Sequence, residues 1–186
     1  MAQKGLYMEH QQDDKIQDFI NAHVIDDEWV VVGVPGVDPP AKPYSLSVPG
    51  IGSPSYSYTV GLTYLGLPEM VIVGMDAGAA RAVLEGVVLQ ALGAGEFQHG
   101  GLVTGYPLPH RPDRPYPAHP MMVLKVHPDK KRQIANQVFK QFGHWDFELQ
   151  QLVLPDDESC FPWDANYITR RIDMAGVLGR VPRASQ

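Results

Sequence analysis

The stretch SYSYTVGLTYLGLPEMVIVGMDAGAARAVLEGVVLQALGAG, residues 55–95, decides the fold class. Its first eight residues alternate aromatic with small side chains, the period-two signature of a strand. Leu67 and Pro68 close the turn that follows. Residues 69–74 (EMVIVG) form an apolar, β-branched run that reads as a buried strand. Asp76 suits a helix N-cap, and Ala80, Val83, Leu84, Val87, Val88 and Leu92 follow at helical spacing. This predicts an amphipathic helix over 77–92, ended by Gly93 and Gly95. Two strands joined directly before any helix arrives argue against a doubly wound parallel fold.

Working outward, residues 29–34 (WVVVGV) read as a strand, and Ile16, Phe19 and Ile20 mark a short helix before it. Pro35, Pro39, Pro40, Pro43, Pro49 and Pro54 make 35–54 a loop, since proline neither donates to a ladder nor continues a helix. A second proline-rich stretch occupies 105–120. Residues 121–126 (MMVLKV) read as a strand. His127, Pro128 and Asp129 open a helix that buries Ile134, Ala135, Val138, Phe139 and Phe142 and stops at Gly143. Residues 147–154 (FELQQLVL) read as a further strand, stopped by Pro155, and 156–168 form a loop holding FPWDANY. The order α-β-β-β-α-β-α-β specifies an α+β fold: a single mixed or mostly antiparallel sheet with helices packed on one face. The expected organisation is an acidic N-terminal helical segment over 1–27, one domain over 28–168, and a basic, partly disordered C-terminal tail over 169–186.

Composition narrows the function classes. The chain has 186 residues, 44% hydrophobic and 19% charged, which suits one domain with its own core. A net charge of -6 repels phosphate backbones and argues against nucleic acid as partner. The densest basic run, Lys130, Lys131 and Arg132, reads as a solvated helix face. One cysteine, Cys160, permits no intrachain disulfide and suits a reducing compartment. No apolar h-region opens the chain, and no apolar run approaches the roughly 18 residues of a membrane span. The expectation is a cytoplasmic protein away from membranes.

The strong catalytic signatures are absent. There is no phosphate-binding loop, no dinucleotide fingerprint and no nucleophile elbow. There is also no paired-histidine or paired-cysteine metal motif, so no metal site is expected. The seven histidines include His110, His119 and His127 but show no ligand spacing. Cys160 stands among Asp156, Asp157 and Glu158, which disfavour a thiolate. Polar residues inside apolar strands are more informative. Thr59, Glu69, Gln150 and Gln151 must find partners if buried. Glu69 is expected at the edge of its strand, capping or bridging at the surface.

Four pieces then occur in order: Tyr58-Thr59-Val60-Gly61-Leu62, Pro68-Glu69 with its apolar strand, Gln151-Leu152-Val153-Leu154-Pro155-Asp156, and Phe161-Pro162-Trp163-Asp164. Together they resemble the bacterial family known as domain of unknown function 4262. The resemblance covers roughly 28–168, with an enlarged loop at 35–54, an enlarged proline-rich stretch, and Cys160 where glycine is commoner. It implies no established reaction or cofactor, and which cofactor the chain uses is open. It implies instead a set of residues that line a shared site: Tyr58, Thr59, Glu69, Gln151, Asp156, Trp163 and Asp164.

Two functions follow as expectations. The first is an interaction or ligand-binding protein, with a protein or small-molecule partner and with self-association through apolar sheet edges. The alternative is a small hydrolase or transferase in which Glu69, Asp156 and Asp164, with His110 or His119, meet as acid–base groups.

Overall fold

Seven segments extend and pair: β1 (Leu6–Glu9), β2 (Val30–Val34), β3 (Tyr56–Val60), β4 (Glu69–Val73), β5 (Leu102–Val103), β6 (Met121–Lys125) and β7 (Leu149–Val153). The structure is a computed structural model of the chain that describes residues 6–9, 13–24, 28–34, 55–104, 120–156, 158–168 and 176–182. The 35–54 loop, the proline-rich stretch up to 119, His110 and His119 lie outside the described residues.

The strands form one sheet in the order β1-β2-β3-β4-β7-β6-β5. β1 and β2 are parallel, as are β4 and β7, and the remaining neighbours are antiparallel. The sheet is therefore mixed, and the α+β class holds. The helices are α1 (Asp13–His23), α2 (Ala77–Ala94), α3 (Pro128–Ile134) and α4 (Asn136–Phe142).

The helices cover both faces of the sheet rather than the one face expected from sequence. The strands themselves require this. A strand with one dry face alternates apolar and polar residues, but these strands are apolar at both parities. Val30, Val32, Val71, Val73, Leu149 and Val153 face a cluster with Ile16 and Ile20 of α1, Ile134 of α3 and Val138 of α4. Val31, Met70, Ile72, Val123 and Leu152 face a second cluster with Ala80, Val83, Leu84, Val87 and Val88 of α2. Each fully buried valine, leucine or isoleucine contributes roughly 1.5–3 kcal/mol, so neither layer is dispensable.

Helix α2 begins where Asp76 accepts a hydrogen bond from the Ala79 N–H at 3.0 Å and ends at Gly95. It is long and apolar enough to cross a membrane by length and composition, and here it serves as the core helix of the second face. The helix expected after His127 is two short helices. Ala135 (φ -100, ψ 42) breaks the ladder, and α4 resumes at Asn136.

Residues 176–182 return to the sheet. Gly179 bridges Val126 in antiparallel fashion, and Val177 and Leu178 are buried in the same cluster as α1, α3 and α4. This part of the C-terminal tail thus completes the core, which its Val-Leu pair requires.

Candidate functional site

The corner between β3 and β4 turns on two glycines. Gly61 (φ 117) opens a short 3-10 helix, Leu62–Leu65, and Gly66 (φ 72) closes it. A Cβ on Gly61 would lie 2.8 Å from the Glu28 carbonyl oxygen and 2.9 Å from Val24 Cγ1, so only glycine fits. Glu69 starts β4 directly beneath this turn. Glu69 opens its strand as expected from sequence, but β4 lies between β3 and β7, so Glu69 is fully buried and not at the surface.

The Glu69 carboxylate receives four hydrogen bonds. Oε1 accepts from the Gly61 N–H, the Thr63 N–H and the Thr63 hydroxyl, each at 3.0 Å. Oε2 accepts from the Thr59 hydroxyl at 2.6 Å, and Thr59 Oγ1 in turn accepts from the Met70 N–H at 2.9 Å. Burial pushes the Glu69 pKa up, and the hydrogen bonds from Thr59, Thr63 and Gly61 pull the other way without overcoming it. The neutral form can place its proton on either oxygen, because the Thr59 hydroxyl at Oε2 and the Thr63 hydroxyl at Oε1 can each turn from donor to acceptor. This carboxyl ties a turn together and has no exposed surface to offer a substrate.

The other expected site residues are also tied to the chain's own backbone. Gln151, fully buried, donates from Nε2 to the Gly176 carbonyl and accepts at Oε1 from the Leu178 N–H, both at 2.7 Å. Asp156 is buried at the end of β7. Its Oδ1 accepts from the Glu158 and Cys160 N–H groups at 2.9 Å, and its Oδ2 from the Ile168 N–H at 2.7 Å. Asp164 is exposed and accepts from the Phe161 N–H at 2.6 Å. Trp163 stacks on Phe161 with ring centroids 5.1 Å apart and packs against the core from its rim. Tyr58 is buried in the first cluster, beside Tyr56, whose hydroxyl burial pushes up to about 12.

The structure brings Thr59 and Glu69 together, and Asp156 near Asp164 through the 156–164 loop. It does not bring Glu69 to Asp156. Parallel pairing sets Glu69 opposite Leu149, at the start of β7, and Asp156 follows the end of that strand. Leu149 and Val153 alone are separated by about 13 Å along the strand. The two carboxylates also share no hydrogen-bond partner.

Cys160 has its thiol pushed up by partial desolvation and by the carboxylates of Asp156, Asp164 and Glu158, against thiolate chemistry. His99, His127 and His144 each accept a backbone N–H at Nδ1, and His23 donates to the Phe19 carbonyl. Among the described residues no cluster of three or more histidine, cysteine, aspartate or glutamate side chains is placed to hold a metal.

Sequence reasoning missed an aromatic corner. Tyr64, on the 3-10 helix that Glu69 holds, is 53% exposed and meets Phe142 at 4.6 Å. Trp145 stacks on Phe139 at 4.7 Å and meets Phe147 at 5.8 Å. Lys131 fastens this corner: its ammonium donates to the Trp145 and Phe147 carbonyls at 2.7 and 2.6 Å and lies 4.6 Å from the Phe147 ring centroid. Desolvation lowers the Lys131 pKa, and its two carbonyl bonds make it an anchor of the corner. The signal available in the sequence was the density of Phe139, Phe142, Trp145 and Phe147 across one helix end.

The profile of the family described as Domain of unknown function (DUF4262) matches residues 23–168, more than half of the chain. Comparison with curated proteins and with solved structures finds no match. The chain belongs to the DUF4262 family.

Proposed function

For this member of the DUF4262 family, we propose an interaction or ligand-binding function without turnover, with the aromatic corner of Tyr64, Phe142 and Trp145 as its contact surface. The observation that carries this reading is the direction of the polar hydrogen bonds. Thr59, Glu69, Gln151, Asp156 and Asp164 all bind the chain's own backbone or one another, so the three carboxylates an acid–base mechanism would use are engaged internally. What the same region turns outward is aromatic. Tyr64 is more than half exposed with half-buried Phe142 against it, and Trp145 is half-buried against Phe139 and Phe147. Tyrosine and tryptophan give large contact area at low entropic cost, and they dominate binding energetics where they gather. An apolar or aromatic segment of a protein partner fits this surface best. The net charge of -6 supports a partner other than nucleic acid, and the lone Cys160 supports a cytoplasmic setting.

The test is partner capture by immobilised chain from host lysate, with Tyr64→Ala and Trp145→Ala beside the wild type. The expected result is loss of a specific captured protein in both variants while the thermal midpoint stays within a few degrees. Capture that survives both substitutions overturns the assignment of the corner.

A further inference from the structure

Residues 176–179 sit in their groove as a ligand sits in a receptor. Gln151 bonds two backbone groups of the segment at once, the Gly176 carbonyl and the Leu178 N–H, both at 2.7 Å. The His127 N–H donates to the Leu178 carbonyl at 3.0 Å. Three backbone groups of a four-residue stretch are thereby engaged, two by one side-chain amide and the third by the backbone bond of the Val126–Gly179 bridge. Val177 and Leu178 enter the core cluster, and Val181 packs against its rim. Gly179 is pressed onto β6: a Cβ there would lie 2.5 Å from the Lys125 carbonyl oxygen and 2.8 Å from Leu124 Cβ. The strands β1–β7 and helices α1–α4 all precede this segment in the chain. The groove's walls, β6, β7 and the start of α3, therefore owe none of their own ladder bonds to it.

We propose that this groove is a binding site for an extended, uncharged peptide segment of the form glycine-aliphatic-leucine-glycine, which the chain's own residues 176–179 occupy in cis. A side-chain amide that pairs with backbone on both its atoms accepts any chain able to extend there, and main-chain bonds of this kind supply affinity while pockets supply selectivity. Selectivity here comes from the buried Leu178 position and from the bar to any side chain at the Gly179 position. The tethered segment competes at an effective concentration of order mM, so a partner's segment enters fully only when the tethered one is displaced. This site is separate from the aromatic corner and stands or falls without it.

The probe is a fluorescently labelled peptide, AGVLGRVP, residues 175–182, and the receptor is the full chain carrying Gly179→Val, whose own segment cannot seat. Saturable binding is expected, at least about tenfold tighter than to the wild-type chain, whose own segment competes. Adding Gln151→Leu should weaken it by about tenfold or more, since two buried bonds are lost. The same peptide carrying Gly179→Val should not bind. A folded Gly179→Val chain that ignores the peptide, or binding indifferent to Gln151→Leu, overturns the proposal. A second measurement needs no variant to fold. Excess peptide added to the wild-type chain should speed hydrogen exchange at the Leu178 N–H and leave the Leu152 N–H unchanged. Unchanged exchange at Leu178 overturns the proposal as well.

Discussion

Replacing Glu69 separates a structural carboxyl from a reactive one. In Glu69→Ala, the Gly61 and Thr63 N–H groups lose their acceptor inside the protein. The two threonine hydroxyls can rotate towards other acceptors, but backbone donors cannot. Two stranded donors at about 1–3 kcal/mol each, with the small cavity left behind, total about 4 kcal/mol. For a chain of this length that is a fall of roughly 8–16 °C in Tm. Glu69→Gln should behave differently. Its carbonyl oxygen can keep the Oε1 partners, and its amide can donate to Thr59 Oγ1, so the cost is about 1 kcal/mol. Urea denaturation followed by tryptophan fluorescence checks both values.

The pH dependence carries a sign. Burial raises the Glu69 pKa in the folded chain above its unfolded value. Between those two values the unfolded chain has released its proton and the folded chain has not, so folding is disfavoured as pH rises. The contribution is fully present below about pH 4.3, the ordinary glutamate value, and is lost upward through the raised folded value. The stability of wild type relative to Glu69→Gln should therefore decline as pH increases across that window. A Glu69→Ala variant within 1 kcal/mol of wild type would refute the reasoning, as would a wild-type advantage over Glu69→Gln that grows with pH.

Further consequences follow from other contacts. Gly61→Ala forces a side chain into a φ of 117 and against the Glu28 carbonyl, and should cost about 2–3 kcal/mol by chemical denaturation. Asp156→Ala removes the acceptor of three N–H groups and should open the 158–168 loop to limited proteolysis before the global transition. Lys131→Met keeps the apolar stem but drops two bonds to carbonyls; it should cost about 1 kcal/mol and shift the Trp145 indole resonance by NMR.

Much of this architecture was legible. Residues 29–34, 55–62, 69–74, 121–126 and 147–154 read as strands because β-branched and aromatic residues cluster between breakers, and each contains an observed strand. Helix α2 was legible from Asp76 and the spacing of its apolar residues. Two strands escaped. β5 has only two residues, too few to show a period, and β1 is a four-residue edge strand, LYME, with no alternating signal. The break at Ala135 was hidden because alanine favours helix, and nothing local announces the kink.

The placement of the helices failed for a physical reason already present in the strands. Runs such as Val30-Val31-Val32 and Met70-Val71-Ile72 carry apolar groups at both parities and need cover on both sides. At the candidate site, sequence singled out Thr59, Glu69, Gln150 and Gln151 as polar residues that must have partners if buried, but not which partners. Apart from the Thr59 and Thr63 hydroxyls on Glu69, those partners are backbone groups 6 to 53 residues away, and backbone groups leave no trace in residue identity. The aromatic density from Phe139 to Phe147 was legible, but Tyr64's place in that corner was not, because Tyr64 and Phe142 meet only once β3, β4 and α4 are packed.

The most direct test of the account is one set of captures from host lysate, with Glu69→Gln, Tyr64→Ala and Trp145→Ala measured beside their own denaturation curves. Glu69→Gln is expected to keep the captured partner and nearly all of its stability, while the two corner variants keep stability and lose the partner. A Glu69→Gln chain that is as stable as wild type yet captures nothing would contradict it, since the buried carboxyl would then act in recognition and not in holding the fold.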